Sequence, residues 1–209
     1  REERKQRMAK AAKKQTKKNP KAAKAGRIVG KVIAIVLAVA ICLAAVGCIL
    51  NFFGVPQKVL KAAKFGSEKD NVATYNYYYM TLYNYYYNMS NQYDTYYGKG
   101  MGKMYTGYDT SKTPMDQEYT GDTSSLNTDE EIKTWADFLR VSALNYMQSY
   151  TAYADLARKN GLTLNDEEKA EIDERVSSIK KSADNNDFSL DRYIQKIYGK
   201  GVTEKVLRA

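Results

Sequence analysis

The chain has 209 residues, 33 Lys or Arg against 24 Asp or Glu, two cysteines and no histidine. Without histidine, His-dependent triads, His general bases and ordinary His-containing zinc sites are excluded within the chain. The formal charge of +9 suggests nucleic acid until it is located: residues 1–31 carry thirteen Lys or Arg and two acids, a net of +11, and the rest carries 20 basic and 22 acidic residues, a net of −2.

Residues 1–27 read as a basic cytoplasmic tail. From Arg1 to Lys24 the only large aliphatic residue is Met8, so this stretch cannot bury a core. It is solvated or lies along anionic head groups. No aromatic residue is interleaved with its lysines, and nucleic acid is not an expected partner.

Residues 28–53 read as a transmembrane helix. Val32 to Leu50 is nineteen residues without a charge, about 28 Å of helix at roughly 1.5 Å per residue, close to the hydrocarbon thickness of a bilayer. The Lys/Arg excess on its N-terminal side places the N-terminus in the cytoplasm and the larger part of the chain outside the cell membrane. Both cysteines, Cys42 and Cys48, fall in this stretch, so the exterior has no disulfide and no thiol nucleophile. Ala45-Val46-Gly47-Cys48 resembles a bacterial lipobox, which makes Cys48 a candidate for lipidation. Ala45 stands where Leu is usual and the apolar run continues through Ile49, Leu50, Phe52 and Phe53, which favours a retained helix.

Residues 54–69 form a connector in which Gly54 and Pro56 break the helical pattern and Lys58, Lys61 and Lys64 follow. Residues 70–209 form the outer domain. Its first segment, Asp70 to Tyr97, holds eleven of the nineteen tyrosines and no Gly or Pro. Alternate positions 75, 77, 79, 83, 85 and 87 are Tyr, as in a strand, but 28 residues without a turn signal far exceeds strand length. As a helix the segment has an apolar stripe of Val72, Tyr75, Tyr79, Leu82, Tyr86, Met89 and Tyr93, with Thr81, Asn84, Asn88, Asn91 and Thr95 opposite. Tyr77, Met80, Tyr83 and Tyr87 flank the stripe on a second face, which is either ordinary amphipathic surface or a contact patch.

Residues 98–128 read as a long loop, mobile or locally folded, with five glycines and Pro114. Gly98, Gly100 and Gly102 before Lys103 do not have phosphate-loop spacing, and Asp109, Asp116 and Asp122 are too scattered for a calcium loop. No metal and no cofactor is implied. Thr128 with Glu131 offers a capping box for a helix whose apolar positions are Ile132, Trp135, Leu139, Ala143, Tyr146, Tyr150 and Ala154. Asn160-Gly161-Leu162 closes it as a Schellman turn. Asn165 and the acids after it open the next helix, with core positions Ile172, Val176 and Ile179. Ser189 caps a third helix, stapled by Phe188 and Tyr193 and stopped at Gly199, and Thr203 caps a fourth. That last helix starts six residues before the end and the first residue is Arg, so the chain reads as cut at both ends.

The phrases Trp135-Ala136-Asp137-Phe138, Ala157 to Leu162, Leu164-Asn165-Asp166-Glu167-Glu168, Phe188 to Tyr193 and Tyr198 to Thr203 resemble the N-terminal chaperone region of SurA-like and PrsA-like foldases over about residues 58–209. The Tyr-rich helix after a membrane anchor resembles the version in Gram-positive anaerobes. The resemblance implies an all-α chaperone domain that cradles unfolded exported polypeptides, in a parent protein carrying a parvulin-type peptidyl-prolyl isomerase. Parvulin sites commonly use histidine, so this chain is expected to be catalytically silent. Adaptable Met and amphipathic Tyr suit weak binding of many sequences. On this reading Tyr77, Met80, Tyr83 and Tyr87 contact clients, while Tyr79, Tyr86, Trp135, Phe138, Tyr146 and Tyr150 build the core. A structural or sensory ectodomain that binds one fixed protein or a glycan through the same tyrosines is the rival.

Overall fold

The computed structural model describes residues 2–15, 20–65 and 68–208, with side chains outside 9–32, 34 and 66–70. The chain is mostly helical and divides into two compact units, Arg1–Ile49 and Leu50–Ala209. In the first, α1 (Glu2–Gln15) begins with Glu2 and Glu3 at its positive end. Most of the side chains of the basic tail, and residues 1 and 16–19 entirely, lie outside the described residues. Helix α2 (Pro20–Phe52) starts within the tail, earlier than its apolar run alone predicts. Among the described residues it is the one helix long and apolar enough to cross a membrane, over Ile35–Phe52, and none of that window is buried. Cys42 and Cys48 are exposed free thiols on it.

In the second unit the connector is more ordered than its composition suggests. Gly54 caps α3 (Val55–Val59), which has a proline in its first turn. An antiparallel pair then follows, β1 (Lys61–Phe65) and β2 (Glu68–Asn71), with a register irregularity between Lys61 and Ala63. This hairpin is the departure from an all-α chain. It is too short and too weakly alternating to register as strands, and residues 66–67 between them lie outside the described residues.

Helix α4 (Val72–Tyr97) confirms the helical reading of the tyrosine-rich segment. Asn71 caps it, its side chain accepting from the Thr74 N–H at 3.0 Å. The seven predicted stripe residues are only half-buried, and the fully buried positions of α4 are Ala73 and Ser90. Both are small because other backbones come close there. A Cβ on Gly102 would lie 2.8 Å from the Ser90 carbonyl carbon, and one on Gly201 would lie 3.3 Å from Ala73 Cβ.

The first of these approaches belongs to residues 98–128, which are folded against α4 and are not a mobile loop. Helix α5 (Met101–Thr106) leads to Tyr108, which is fully buried. Asp94 Oδ1 accepts from the N–H groups of both Gly100 and Gly102 at 2.8 Å, and Ser90 Oγ donates to the Tyr108 carbonyl at 2.6 Å. After a 3₁₀ turn (Pro114–Asp116), buried Gln117 accepts from the Asp109 N–H at 2.8 Å, and Glu118 bridges to Thr134. The three scattered aspartates are turn formers: Asp109 accepts from Ser111, Asp116 from Thr113 and Asp122 from Ser124.

Helix α6 (Trp135–Lys159) starts later than the Thr128–Glu131 pair suggests. Its capping box is Thr134 with Asp137, while Thr128 holds the turn before it through the Glu130 N–H. Trp135 is the hub of the core. Its ring meets those of Tyr86, Tyr108, Tyr119 and Phe138 edge-on at 4.9, 5.0, 5.0 and 5.5 Å. Its Nε1–H donates to the Gly107 carbonyl at 3.1 Å, so its polar atom is satisfied. Tyr119 stacks on Phe138 at 4.1 Å.

The Schellman closure after α6 is as predicted: Leu162 N–H reaches the Ala157 carbonyl at 2.9 Å and Gly161 N–H the Arg158 carbonyl at 3.1 Å. Helix α7 (Asp166–Asp184) carries the predicted Asn165 cap, boxed with Glu168, and buries Val176 and Ala183. Helix α8 (Leu190–Tyr198) buries Ile194, and the Phe188 and Tyr193 rings meet at 6.2 Å. It docks on the polar side of α4, where Asn84 and Asn76 Nδ2–H donate to the carbonyls of Ile197 and Lys200 at 3.0 and 2.9 Å. Helix α9 (Glu204–Arg208) follows buried Val202. Gly54 and Gly201 both have positive φ and touch backbone to backbone: a Cβ on Gly54 would lie 2.6 Å from Gly201 Cα.

Two outcomes follow for stability. Replacing Trp135 with Ala removes the hub and is expected to cost about 3–5 kcal/mol in denaturant unfolding. Asp94→Ala orphans two amide donors, and it should cost about 1–3 kcal/mol and speed hydrogen exchange at residues 100–108 ahead of α6. Equal exchange in both regions would contradict the docking of this segment by Asp94.

Candidate functional site

The α6 side chains that are fully buried end at Met147, yet the helix continues for twelve more residues. Its apolar stripe continues with it. Tyr146, Tyr150 and Tyr153 are 47, 53 and 68% exposed, so the sequence-based assignment of Tyr146 and Tyr150 to the core is corrected. The core is closed by the rings around Trp135, and the second half of α6 extends past it.

What this half of α6 forms is one wall of a groove of about 920 Å³. The floor and opposite wall come from Tyr77, Tyr78, Thr81, Leu82, Tyr85 and Tyr86 of α4, and Val206 and Leu207 of α9 close one side. Seven of the lining residues are tyrosine and none is charged. The aromatic surface is preorganised: Tyr150 stacks on Tyr78 at 5.6 Å with planes 15° apart, Tyr146 stacks on Tyr150 at 6.3 Å, and Tyr85 meets Tyr86 edge-on at 5.1 Å. Two further depressions share its walls. One, of about 410 Å³, has Leu82, Tyr86 and Tyr146 in common with it and adds Asp122 and Ser142. The other, of about 460 Å³, has Tyr77, Tyr78 and Tyr150 in common and adds Lys58, Arg158 and Lys205. Both adjoin the groove through these shared side chains.

The four tyrosine and methionine positions selected from the sequence do not form one surface. Tyr77 lines the groove, its ring also lying 5.2 Å from that of Tyr198 on α8. Met80 faces the Gly199 turn, its Cγ being 3.5 Å from where a Cβ on that glycine would stand. Tyr83 and Tyr87 pack against the core cluster, stacked on each other at 5.8 Å, with Tyr83 edge-on to buried Tyr108 at 6.2 Å. The residues missed are Tyr78, Tyr85 and Tyr153. Tyrosine repeated at 146, 150 and 153, where a buried helix would use Leu, Val or Phe, is the signal that the stripe stays at the surface.

The groove offers apolar ring area together with hydroxyl groups that donate or accept. Among the described residues no cluster of three metal-ligating side chains occurs. Cys48, the lipidation candidate, belongs to the other unit. The tyrosine hydroxyls beneath the groove are held neutral. Burial raises Tyr77 and Tyr86 above the ordinary 10.0, and raises Tyr75 on the neighbouring face to about 12, with Tyr79 adding to the shift and Arg140 opposing it. Burial likewise raises Tyr79, Tyr119 and Tyr108. A group raised on folding contributes stability that is whole below its unfolded value and is lost as pH rises through its folded value. Stability should therefore hold up to about pH 10 and fall between there and about 12. Tyrosinate absorbance is expected to rise in two phases, the later one coinciding with loss of helical circular dichroism; a single phase with full helicity retained would contradict the burial of these rings.

In comparisons with known proteins, the chain matches no family model, no curated protein and no solved structure.

Proposed function

We propose that residues 54–209 are the client-binding region of an extracytoplasmic chaperone or foldase of the SurA-like and PrsA-like kind, tethered by α2 with the N-terminus in the cytoplasm and holding unfolded exported polypeptides. The observation that carries this reading is the open, uncharged, tyrosine-lined groove between α4 and the overhanging half of α6. Unfolded chains offer apolar side chains next to unpaired amide groups. Tyrosine meets both, with a broad ring that loses little rotamer freedom and a hydroxyl that donates or accepts. A groove without charges carries no demand for a particular counter-charge, which suits many sequences bound weakly. The contacts would be made by Tyr77, Tyr78, Tyr85, Tyr146, Tyr150 and Tyr153, and proline isomerisation would belong to a parvulin domain of the parent protein.

The test compares two variants of the full chain. Tyr85→Ser/Tyr150→Ser/Tyr153→Ser removes exposed rings and should weaken binding of a reduced, unfolded protein at least tenfold, about 1.4 kcal/mol, with each change altering stability by only about 0.5 kcal/mol. Tyr83→Ser/Tyr87→Ser should instead lower stability. A photo-crosslinker at 85 or 153 is expected to capture the unfolded protein, and one at 88 or 91 is not. Unchanged binding by the triple variant would remove the groove from the function, and a single saturable protein or glycan ligand would support a fixed-partner ectodomain.

A further inference from the structure

The apolar helix ends inside the second unit, and its last residue touches α8. Phe52 closes the span-length stretch Ile35–Phe52, and the Arg192 guanidinium of α8 stands over its ring at 4.4 Å. Both residues belong to Leu50–Ala209, so the contact is internal to that unit. One turn further along α8, Lys196 Nζ stands over the Phe188 ring at 4.7 Å. Arg192 and Lys196 each lie about 160° round the helix from buried Ile194, so both cations are on its outward side, and both are exposed. The acid of α8, Asp191, is about 100° round from Arg192. The residues that follow the span are apolar and exposed as well: Phe53, Val59 and Leu60 are 58, 72 and 59% exposed, and Phe52 itself 54%. Aromatic and aliphatic side chains beside cations, directly after a span, are the composition of a membrane interface.

Depth decides what the cations meet. The 18 residues of Ile35–Phe52 make about 27 Å of helix at roughly 1.5 Å per residue, close to the roughly 30 Å of a hydrocarbon core. With that stretch in a bilayer, the Phe52 ring stands at the boundary of the core. The head-group layer beyond it is about 5–8 Å thick on each side. A charge is costly on the hydrocarbon side, so a guanidinium 4.4 Å from that ring belongs in the head-group layer, at the depth of lipid phosphates. A phenyl ring takes up none of the five N–H donors in a strong hydrogen bond. It therefore positions Arg192 and leaves the fork that matches phosphate oxygens.

We infer that α8 seats the second unit on the leaflet where the span ends: Arg192 and Lys196 bind the phosphate groups of anionic phospholipids, with Phe52 and Phe53 entering the interface beside them. This rests on the reading of α2 as a membrane tether and adds a lipid-selective contact to it. Lipid is favoured over a soluble anion because the covalent link through Phe52 brings α8 to head groups in any case, and because a soluble anion would leave exposed Phe52 and Phe53 without a role.

The test uses the full chain in vesicles of phosphatidylcholine alone and of phosphatidylcholine with phosphatidylglycerol. A nitroxide is placed at Ser189→Cys, an exposed position one turn before Arg192 whose side chain makes no capping bond, in a chain that also carries Cys42→Ser and Cys48→Ser. A second sample carries the label on native Cys48, with Cys42→Ser. Collision with a water-soluble nickel chelate reads how far each label is shielded from water. On anionic vesicles the label at 189 is expected to be shielded, the ratio of seated to unseated protein being about thirtyfold above that on neutral vesicles for two cations near a charged surface, and the difference should shrink as salt rises. Arg192→Gln/Lys196→Gln should return the label to its value on neutral vesicles, and Arg192→Lys, which keeps the charge, should not. A shielded Cys48 label together with a 189 label equally accessible on both vesicles would refute the lipid contact with the tether intact, as would shielding at 189 that survives Arg192→Gln/Lys196→Gln. A nickel-accessible Cys48 label would instead remove the tether on which the inference rests.

Discussion

The contact on which the second unit depends is that of Trp135 with the rings around it. A residue at the first position of α6 meets α4 through Tyr86, the α5 segment through Tyr108 and the following turn through Tyr119. Its N–H is spent on Gly107, so the indole is buried without an orphan donor. Edge-to-face geometry makes these contacts directional, adding about 0.5–1.5 kcal/mol per pair beyond burial. The hub therefore sets more than cohesion. It fixes where α6 leaves the core, and everything further along that helix is positioned by leverage from it.

The groove follows from that arrangement. Once Met147 is buried, α6 has used up the partners the core provides, and its remaining turns run beside α4 at a distance that the tyrosine rings span only partly. On the far side, α9 is positioned by the backbone contact between Gly54 and Gly201, where no side chain fits. The same contact ties the turn after Phe52 to the α8–α9 junction, and Arg192 of α8 sits over the Phe52 ring at 4.4 Å. The end of the apolar helix and one end of the groove are thus built from neighbouring residues of the second unit. Lys58 lines the depression next to the groove, so the short α3 borders the site.

Helix periodicity made α2, α4, α6, α7 and α8 legible in the residues themselves, together with the Asn165 cap, the Schellman closure at Gly161 and the Phe188–Tyr193 staple. The misses share a cause. Hydrophobic pattern finds faces that bury large side chains, but the tightest contacts here are made by Ala73, Ser90, Gly102, Gly54 and Gly201, which carry almost no hydrophobic signal. For that reason residues 98–128 read as a long loop, mobile or locally folded, although backbone amides on Asp94 and a buried Tyr108 hold them in place. Thr134 and Asp137 outcompeted Thr128 and Glu131 as the capping box because only the later pair abuts the tryptophan that the core requires. The site was half legible. Tyrosine abundance pointed to a contact surface, but with faces of α4 shared among α5, α6 and α8, a helical wheel could not say which tyrosines remained open.

Why tyrosine and not leucine is the remaining question, and the two clusters answer it together. Around Trp135 the rings are ordered by one another through edge-on and stacked contacts, so the core gains aromatic area. In the groove the same residue type does the reverse: the ring is the exposed part and the neighbour's ring its support. A leucine groove of this size would be an exposed apolar patch prone to self-association. Seven tyrosines keep the area while leaving a hydrogen-bonding group at each position, so the surface stays wet when empty and can satisfy peptide groups when filled. Net charge follows the same logic. The large positive excess is confined to the first 31 residues, and outside them the charges nearly cancel, so the potential at the groove is set by local groups and not by the net charge of the chain.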